Sequence, residues 1–321
     1  LEADLEIDET IGYESSLQSS THSISSSIVD YIYENGRRYH RYQEGKYMLP
    51  NDESLTVSIR LDLYHHLQLL SLRGELFVAD IPKKSQRILD CGTGTGIWAL
   101  DAGEVFPSAE VIGVDLSPIQ PEWVVPNVRF EVDDLELDWT YLPNLFDFIH
   151  SRNIAQSMKD WPRYLRQMYK HAKPGAYIEL AETAMSLNCD DGTYTGSALE
   201  DYVTKFQKSL ELGGFILPTG DMLKTFAEGA GFVEVQVHYF KHPWGTWPKD
   251  PEMKKIGQLM EMTVLTGLES YGMAPLTRYL GMKPEDVLAG CAKSLNEVHT
   301  RKVHVYQYNF HVVGRKPEEN E

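Results

Sequence analysis

The stretch Arg87–Ser117, RILDCGTGTGIWALDAGEVFPSAEVIGVDLS, decides the fold. Arg87 to Asp90 reads as an apolar strand, Gly92, Gly94 and Gly96 punctuate a turn, a helical stretch follows, and Glu110 to Asp115 reads as a second strand ending in an acid. That is a mononucleotide-binding βαβ unit, and the glycine spacing narrows what it holds. A dinucleotide fingerprint runs G-x-G-x-x-G, its third glycine allowing close helix–strand packing. Here the spacing is G-x-G-x-G and position 97 is Ile. A Walker loop is excluded because no Lys-Ser or Lys-Thr follows the glycines.

Charge placement carries the reading further. Asp90, two residues before Gly92, would repel a pyrophosphate and favour a cationic ligand such as a sulfonium bearing an amino group. Asp115, 23 residues after Gly92, is placed to accept from ribose hydroxyls. Asp133 and Asp134 in "EVDDLE" follow a third strand, where an acid can accept from an adenine amine. Acidic positions at successive strand ends, with no basic phosphate clamp, point to S-adenosylmethionine.

Working outward, strands are expected at Arg87–Asp90, Glu110–Asp115, Val128–Val132, Phe146–His150 and Ala176–Ala181, with helices between most of them. Strand alternating with helix predicts an α/β fold, a doubly wound parallel sheet. Later come a helix over Asp221–Ala230, a strand over Val233–Tyr239 and a last strand over Val303–Val313. About sixty residues separate those two strands where a hairpin needs only a few. This insertion, about 241–302, carries Trp244, Trp247 and several Met; it suits a deformable apolar lid over a substrate site, and equally a set of extra core helices.

Before the core, residues 28–85 read as an N-terminal cap. "YIYENGRRYHRYQEGKYMLP" is dense in Tyr and Arg, and a helix is expected from Asp52 to about Leu72, with Ile59, Leu63, Leu67 and Leu70 on one face. Residues 1–27 form an acidic, serine-rich arm: six acids and no base in the first fourteen, then eight serines in thirteen. It offers too little apolar surface to offset chain entropy and is expected to be flexible as far as about His22. The chain opens on Leu1 rather than Met, which reads as a truncated or processed start.

The 321 residues suffice for one large domain with additions, and residues 86–321 are assigned to it. A formal charge of −17 argues against a nucleic-acid partner, and no apolar run is long enough for a membrane span. Cys91, Cys189 and Cys291 are odd in number and widely spaced, which suggests neither a disulfide framework nor a metal site and fits a reducing, cytoplasmic compartment, with the nucleus second.

Together, "LDCGTGTGIWALDAGEVFPSAEVIGVDLSPIQP", "VRFEVDDLE", "FDFIHSRN" and "YLRQMYKHAKPGAYIELAE" resemble the motifs of class I S-adenosylmethionine-dependent methyltransferases, in the version found in the fungal LaeA-like family. "NGRRYHRYQEGKYMLPND" and "VYQYNFHVVGRKP" extend the likeness over nearly all the chain beyond Ser27. The resemblance implies a Rossmann-like, seven-stranded sheet with its last strand antiparallel. It also implies cofactor contacts at Asp90, Gly92, Thr93, Gly94, Gly96, Asp115, Leu116, Asp133, Asp134, Leu135, Ser151, Arg152 and Asn153. Where the family has Gln-Asp-Arg before "LDL", this chain has Ser58-Ile59-Arg60.

Methyl transfer from a sulfonium depends on in-line positioning, and a base is needed only for a hydroxyl or a protonated amine. Candidates are His65 and His66, three and four residues after Asp62 on the cap helix, together with His150 and Glu182 at strand ends. Each also reads as a structural group: a helix surface pair, a core histidine, a cap. Arg152 is a candidate partner for the cofactor's carboxylate, or a bridge between helices. Tyr39, Tyr42 and Tyr47 are either aromatic cover for the sulfonium or packing between cap and core. His238 and His242 read as structural. The expected activity is methylation of a hydroxyl, carboxyl or amine on a small apolar metabolite. The alternative is a regulator of secondary metabolism that acts through protein partners.

Overall fold

The computed structural model describes residues 31–34, 37–40, 55–121 and 124–319. The acidic and serine-rich arm, Tyr42 and Tyr47 lie outside them. In chain order the elements are β1 (Tyr31–Glu34), β2 (Arg37–His40), α1 (Leu55–Ser71), β3 (Arg87–Cys91), α2 (Ile97–Val105), β4 (Glu110–Asp115), β5 (Val128–Val132), β6 (Phe146–Arg152), α3 (Trp161–His171), β7 (Ala172–Thr183), β8 (Asn188–Cys189), α4 (Ala198–Leu212), α5 (Gly220–Ala230), β9 (Val233–Pro243), α6 (Pro251–Leu280), α7 (Pro284–His299) and β10 (Val305–Arg315).

The main sheet runs β5-β4-β3-β6-β7-β10, with β9 on the far edge of β10. Strands β3 to β7 are parallel to their neighbours and β10 is antiparallel to both β7 and β9. Two-residue β8, which follows the β7 chain after a break, pairs with Val305 and Tyr306 and makes eight strands where seven were expected. Order reverses between β3 and β6, so the switch-point crevice opens at their carboxyl ends.

Parallel strands buried on both faces send successive side chains into two different cores. On β3, β4 and β6 the residues Ile88, Val111 and Phe148 join Trp98, Ala99 and Ala102 of α2. Their neighbours Leu89, Ile112 and Ile149 join Trp161, Leu165 and Met168 of α3 and Leu223 of α5. A third cluster sits over the crevice, where Leu67 of α1, Leu199 and Val203 of α4, and Ile256, Met260 and Val264 of α6 meet Val298 and Val305. Four helices, α3 to α6, begin where side chains satisfy free amides: Asp160, Ser197, Thr219 and Asp250 each accept a backbone N–H, contributions of about 1 kcal/mol apiece.

Helix α1 buries a different face from the one its apolar spacing predicts. Leu67 is buried, but Ile59 is 46% exposed and Leu70 is also exposed, while Arg60, Tyr64, His65 and Gln68 turn inward. The inward face is polar because it meets the crevice and the buried hydrogen bonds beside it. Arg60 packs against α6, its guanidinium 4.7 Å from the Tyr271 ring centroid. Glu34 ties β1 to Arg278 of α6 at 2.9 Å.

Candidate functional site

A cavity of about 270 Å³ opens at the carboxyl ends of β3, β4 and β6. One end is walled by Gly92–Thr95, Asp115, Leu116, Asp133–Glu136, Arg152 and Asn153; the other by Tyr202, Val203 and Phe206 of α4, Trp244, and Met260, Val264, Leu268 and Tyr271 of α6. Arg60, Leu61 and Tyr64 of α1 and Glu182 at the end of β7 also line it.

The glycine turn leaves backbone where side chains would stand. Gly92 and Gly96 have φ of +73° and +82°; a Cβ on Gly92 would fall 2.4 Å from Ile154 Cγ2, and one on Gly96 2.3 Å from Phe130 Cζ. Gly96 stands behind the cavity, where it lets α2 begin close to β5. Gly94 N donates to Asp115 Oδ2 at 2.8 Å and Ser117 N donates to Asp115 Oδ1 at 2.9 Å. These two amides fix the carboxylate's orientation, and each oxygen keeps a lone pair for a further donor. Burial pushes the Asp115 carboxyl up, against those backbone bonds. Asp133 Oδ1 accepts from Asp134 N at 2.7 Å and Asp134 Oδ1 from Glu136 N at 2.9 Å, shaping the turn after β5.

Asp90 stands elsewhere than its sequence position suggests. It is buried behind the turn rather than on the cavity wall, with Oδ2 accepting from Thr93 Oγ1 at 2.6 Å and Oδ1 2.7 Å from His150 Nδ1. His150 is sandwiched flat on Trp98, ring centroids 3.7 Å apart, and burial lowers its pKa against the pull of Asp90. It too is off the cavity wall, as is buried Ser151. Asp90, His150 and Thr93 therefore form a rigid support for the turn.

The cap-helix pair is rearranged. Asp62 accepts from Thr95 Oγ1 at 2.9 Å, docking α1 onto the glycine turn, while His66 faces solvent. His65 is buried, its Nε2 2.8 Å from Asp101 Oδ2 and its Nδ1 3.2 Å from Arg152 Nη1. An arginine only donates, so Nδ1 accepts and Nε2–H points at Asp101. Burial holds this imidazole's pKa down, which suits the neutral form. Among the described residues no carboxylate is ion-paired with Arg152, which lines the cavity.

Glu182 lines the cavity although it is almost wholly buried. Its Oε1 accepts from Ile154 N at 2.8 Å, so it does cap the turn after β6, and burial pushes its carboxyl up to about 8. Beside it, Tyr64 OH lies 2.7 Å from Thr183 Oγ1 and accepts from Gln68 Nε2 at 2.7 Å. Asn309 Nδ2 donates to the Glu182 carbonyl at 3.0 Å, and His311 links Asn309 to Glu179 behind the sheet.

Sequence spacing missed Arg60, Tyr64, Trp98 and Tyr271. The polar run Arg60, Tyr64, Gln68, one residue per turn of α1, is the signal that could have found the first two. Ile59, at the departure from the family pattern, lies outside the cavity wall.

The cradle suits S-adenosylmethionine by its chemistry. The turn offers backbone that a Cβ would fill, Asp115 offers acceptors to a diol, and Arg152 offers a cation to a carboxylate. A methyltransferase-domain family model matches residues 64–237. Methyltransferase pytC of Aspergillus terreus is 39% identical over 304 residues, 93% of this chain and 92% of the relative. The secondary metabolism regulator LAE1 of Cochliobolus heterostrophus is 36% identical over 89% of this chain and 95% of the relative. The protein-methionine methyltransferase laeA of Emericella nidulans is 30% identical, covering 93% and 80%. The chain belongs to the methyltransferase-domain family, as an S-adenosylmethionine-dependent enzyme related to fungal secondary-metabolism methyltransferases and regulators.

Proposed function

We propose that the chain methylates a small, largely apolar metabolite enclosed between α1, α4 and α6. The observation that carries this reading is the continuity of the cavity from the glycine turn into a wall of Phe206, Trp244, Met260, Val264, Leu268 and Tyr271. An enclosed apolar wall recognises a compact organic molecule by burial and shape. In this reading segment 241–302 is both core and lid, since Met260 and Val264 pack in the third cluster and also face the cavity.

Asp115 would hold the ribose hydroxyls, Asp133 and Leu135 the adenine, and Arg152 the methionine carboxylate. Bound there, the cofactor supplies an electrophilic methyl group on a sulfonium. Leu268, Val264 and Met260 would keep water from the acceptor, which raises the reactivity of its nucleophilic atom. Glu182 would accept the acceptor's proton when the nucleophile is a hydroxyl or ammonium, through the fraction of its carboxyl that is ionised, so that turnover of such an acceptor rises with pH toward about 8. His65 and Asp101 would position Arg152 rather than touch the reacting atoms.

Among the described residues no helix is long and apolar enough to cross a membrane. A cytoplasmic or nuclear site of action accords with the three free cysteines, and the −17 charge argues against nucleic acid as a partner. Purified protein incubated with methyl-labelled cofactor and a fungal metabolite extract should place label in an organic-soluble product. Label confined to protein would replace this reading with the regulatory one, in which the acceptor is a protein partner.

A further inference from the structure

Arg60 is only 2% exposed, yet it has no hydrogen bond or ion pair with any described residue, and its Nε is buried without a partner. It lines the cavity on the side of α6. Its position is built. The guanidinium stacks 4.7 Å from the Tyr271 centroid, and Gly267 leaves room for both: a Cβ there would fall 3.2 Å from Arg60 Cδ and 2.9 Å from Tyr271 Cε2.

Stacking uses the face of a guanidinium and leaves the in-plane donors of its two Nη groups, which are not sealed off as Nε is, to grip a carboxylate through two parallel bonds. A buried cation with no counter-charge is costly and is retained where something supplies the missing anion. The cavity hydroxyls of Tyr202 and Thr263 spend their hydrogens on Leu268 O and Leu259 O, each at 2.9 Å, and carry no charge that would balance the guanidinium. The other cavity cation, Arg152, is set apart by its tie to His65 at the end of β6, beside the glycine turn. The two arginines thus have different surroundings, Arg152 beside His65 and Arg60 against Tyr271 and Gly267.

We infer that the methyl acceptor is an apolar carboxylic acid and that Arg60, stacked on Tyr271, holds its carboxylate. This rests on the small-molecule reading above and narrows it: Arg60 is a specificity residue for an anionic substrate. Carboxylate and apolar body are then recognised by separate parts of one wall, the cation by α1 and the hydrocarbon by α4 and α6.

The test is calorimetry on the protein saturated with S-adenosylhomocysteine, using aryl carboxylates from benzoate through 2-naphthoate to anthracene-9-carboxylate, each against its carboxamide. The wild type should favour the carboxylate of at least one pair by tenfold or more. Arg60→Gln should erase that preference while changing S-adenosylhomocysteine affinity less than threefold, and Arg60→Lys should retain part of it. Melting curves of each variant confirm the fold, and the wild-type comparison stands even if Arg60→Gln does not fold. No preference at any ring size overturns the inference. A loss of S-adenosylhomocysteine binding in folded Arg60→Gln also overturns it, by assigning Arg60 to the cofactor's own carboxylate. Failure of the wild type to bind S-adenosylhomocysteine would instead strike the cofactor assignment, so the two failures are distinguishable.

Discussion

Replacing Asp115 by alanine should damage cofactor binding far more than folding. In the native chain Asp115 takes two backbone donors, Gly94 N at 2.8 Å and Ser117 N at 2.9 Å, and presents its remaining lone pairs to the cavity. A hydrogen bond to an ionised group contributes about 1.5–3 kcal/mol. Loss of one such bond to the ribose weakens S-adenosylhomocysteine binding roughly ten- to 150-fold. The two amides freed by the substitution line an open, wettable turn, so folding should lose only about 1 kcal/mol, a fall in Tm of roughly 1–2 °C. Titration calorimetry with S-adenosylhomocysteine and differential scanning fluorimetry on the same samples separate the two effects. Affinity within twofold of wild type, alongside a lowered Tm, would show that Asp115 only braces the glycine turn.

The same geometry yields three further expectations. Gly96→Ala forces a Cβ to 2.3 Å from Phe130 Cζ at a left-handed φ, which should cost about 2–4 kcal/mol and lower Tm by roughly 3–6 °C; adding Phe130→Leu should restore part of the loss, and a Tm unchanged in Gly96→Ala would mean that α2 and β5 pack more loosely there. Folded Glu182 keeps its proton up to about pH 8 while an unfolded glutamate ionises near 4.5, so the unfolded chain binds fewer protons in between and stability falls as pH rises through that window. Glu182→Gln keeps an acceptor for Ile154 N and should therefore gain in Tm relative to wild type from pH 5 to pH 8, and lose methyl transfer where the nucleophile is a hydroxyl or ammonium; parallel Tm curves would contradict the buried-acid assignment. Met262 is 43% exposed, and Met262→Lys should shift stability by less than about 0.5 kcal/mol, whereas Met260→Lys buries a charge against the cavity and should cost about 3 kcal/mol or more by chemical denaturation.

The sheet was readable because its strands obey local rules: apolar runs at Arg87, Glu110 and Phe146 end in turn residues, and each strand's extent departs from expectation by a few residues at most. The glycine turn is legible because glycine adopts the left-handed conformations of Gly92 and Gly96 without a Cβ penalty. Helix α1 was read in place but on the wrong face, because apolar periodicity finds the side that packs on hydrocarbon, and this helix turns Arg60 and Tyr64 toward a cavity. Asp90 and His150 are 60 residues apart, and their pairing follows from strand register, Asp90 opposite His150 on β3 and β6, which no local pattern displays. Helix spacing offers Asp62 a histidine one turn away, the nearest partner a sequence displays; the fold supplies Thr95, 33 residues on. Pairing of β8 with β10 is likewise a tertiary event, two residues too short to register as a strand.

A co-crystal structure with S-adenosylhomocysteine puts the assignment of the cavity to its hardest test. Ribose hydroxyls on Asp115, adenine against Asp133 and Leu135, the amino-acid carboxylate at Arg152, and the sulfur facing the wall of Met260, Leu268 and Tyr271 is the arrangement expected. A ligand whose ribose lies away from Asp115, or whose sulfur faces away from that wall, would contradict it.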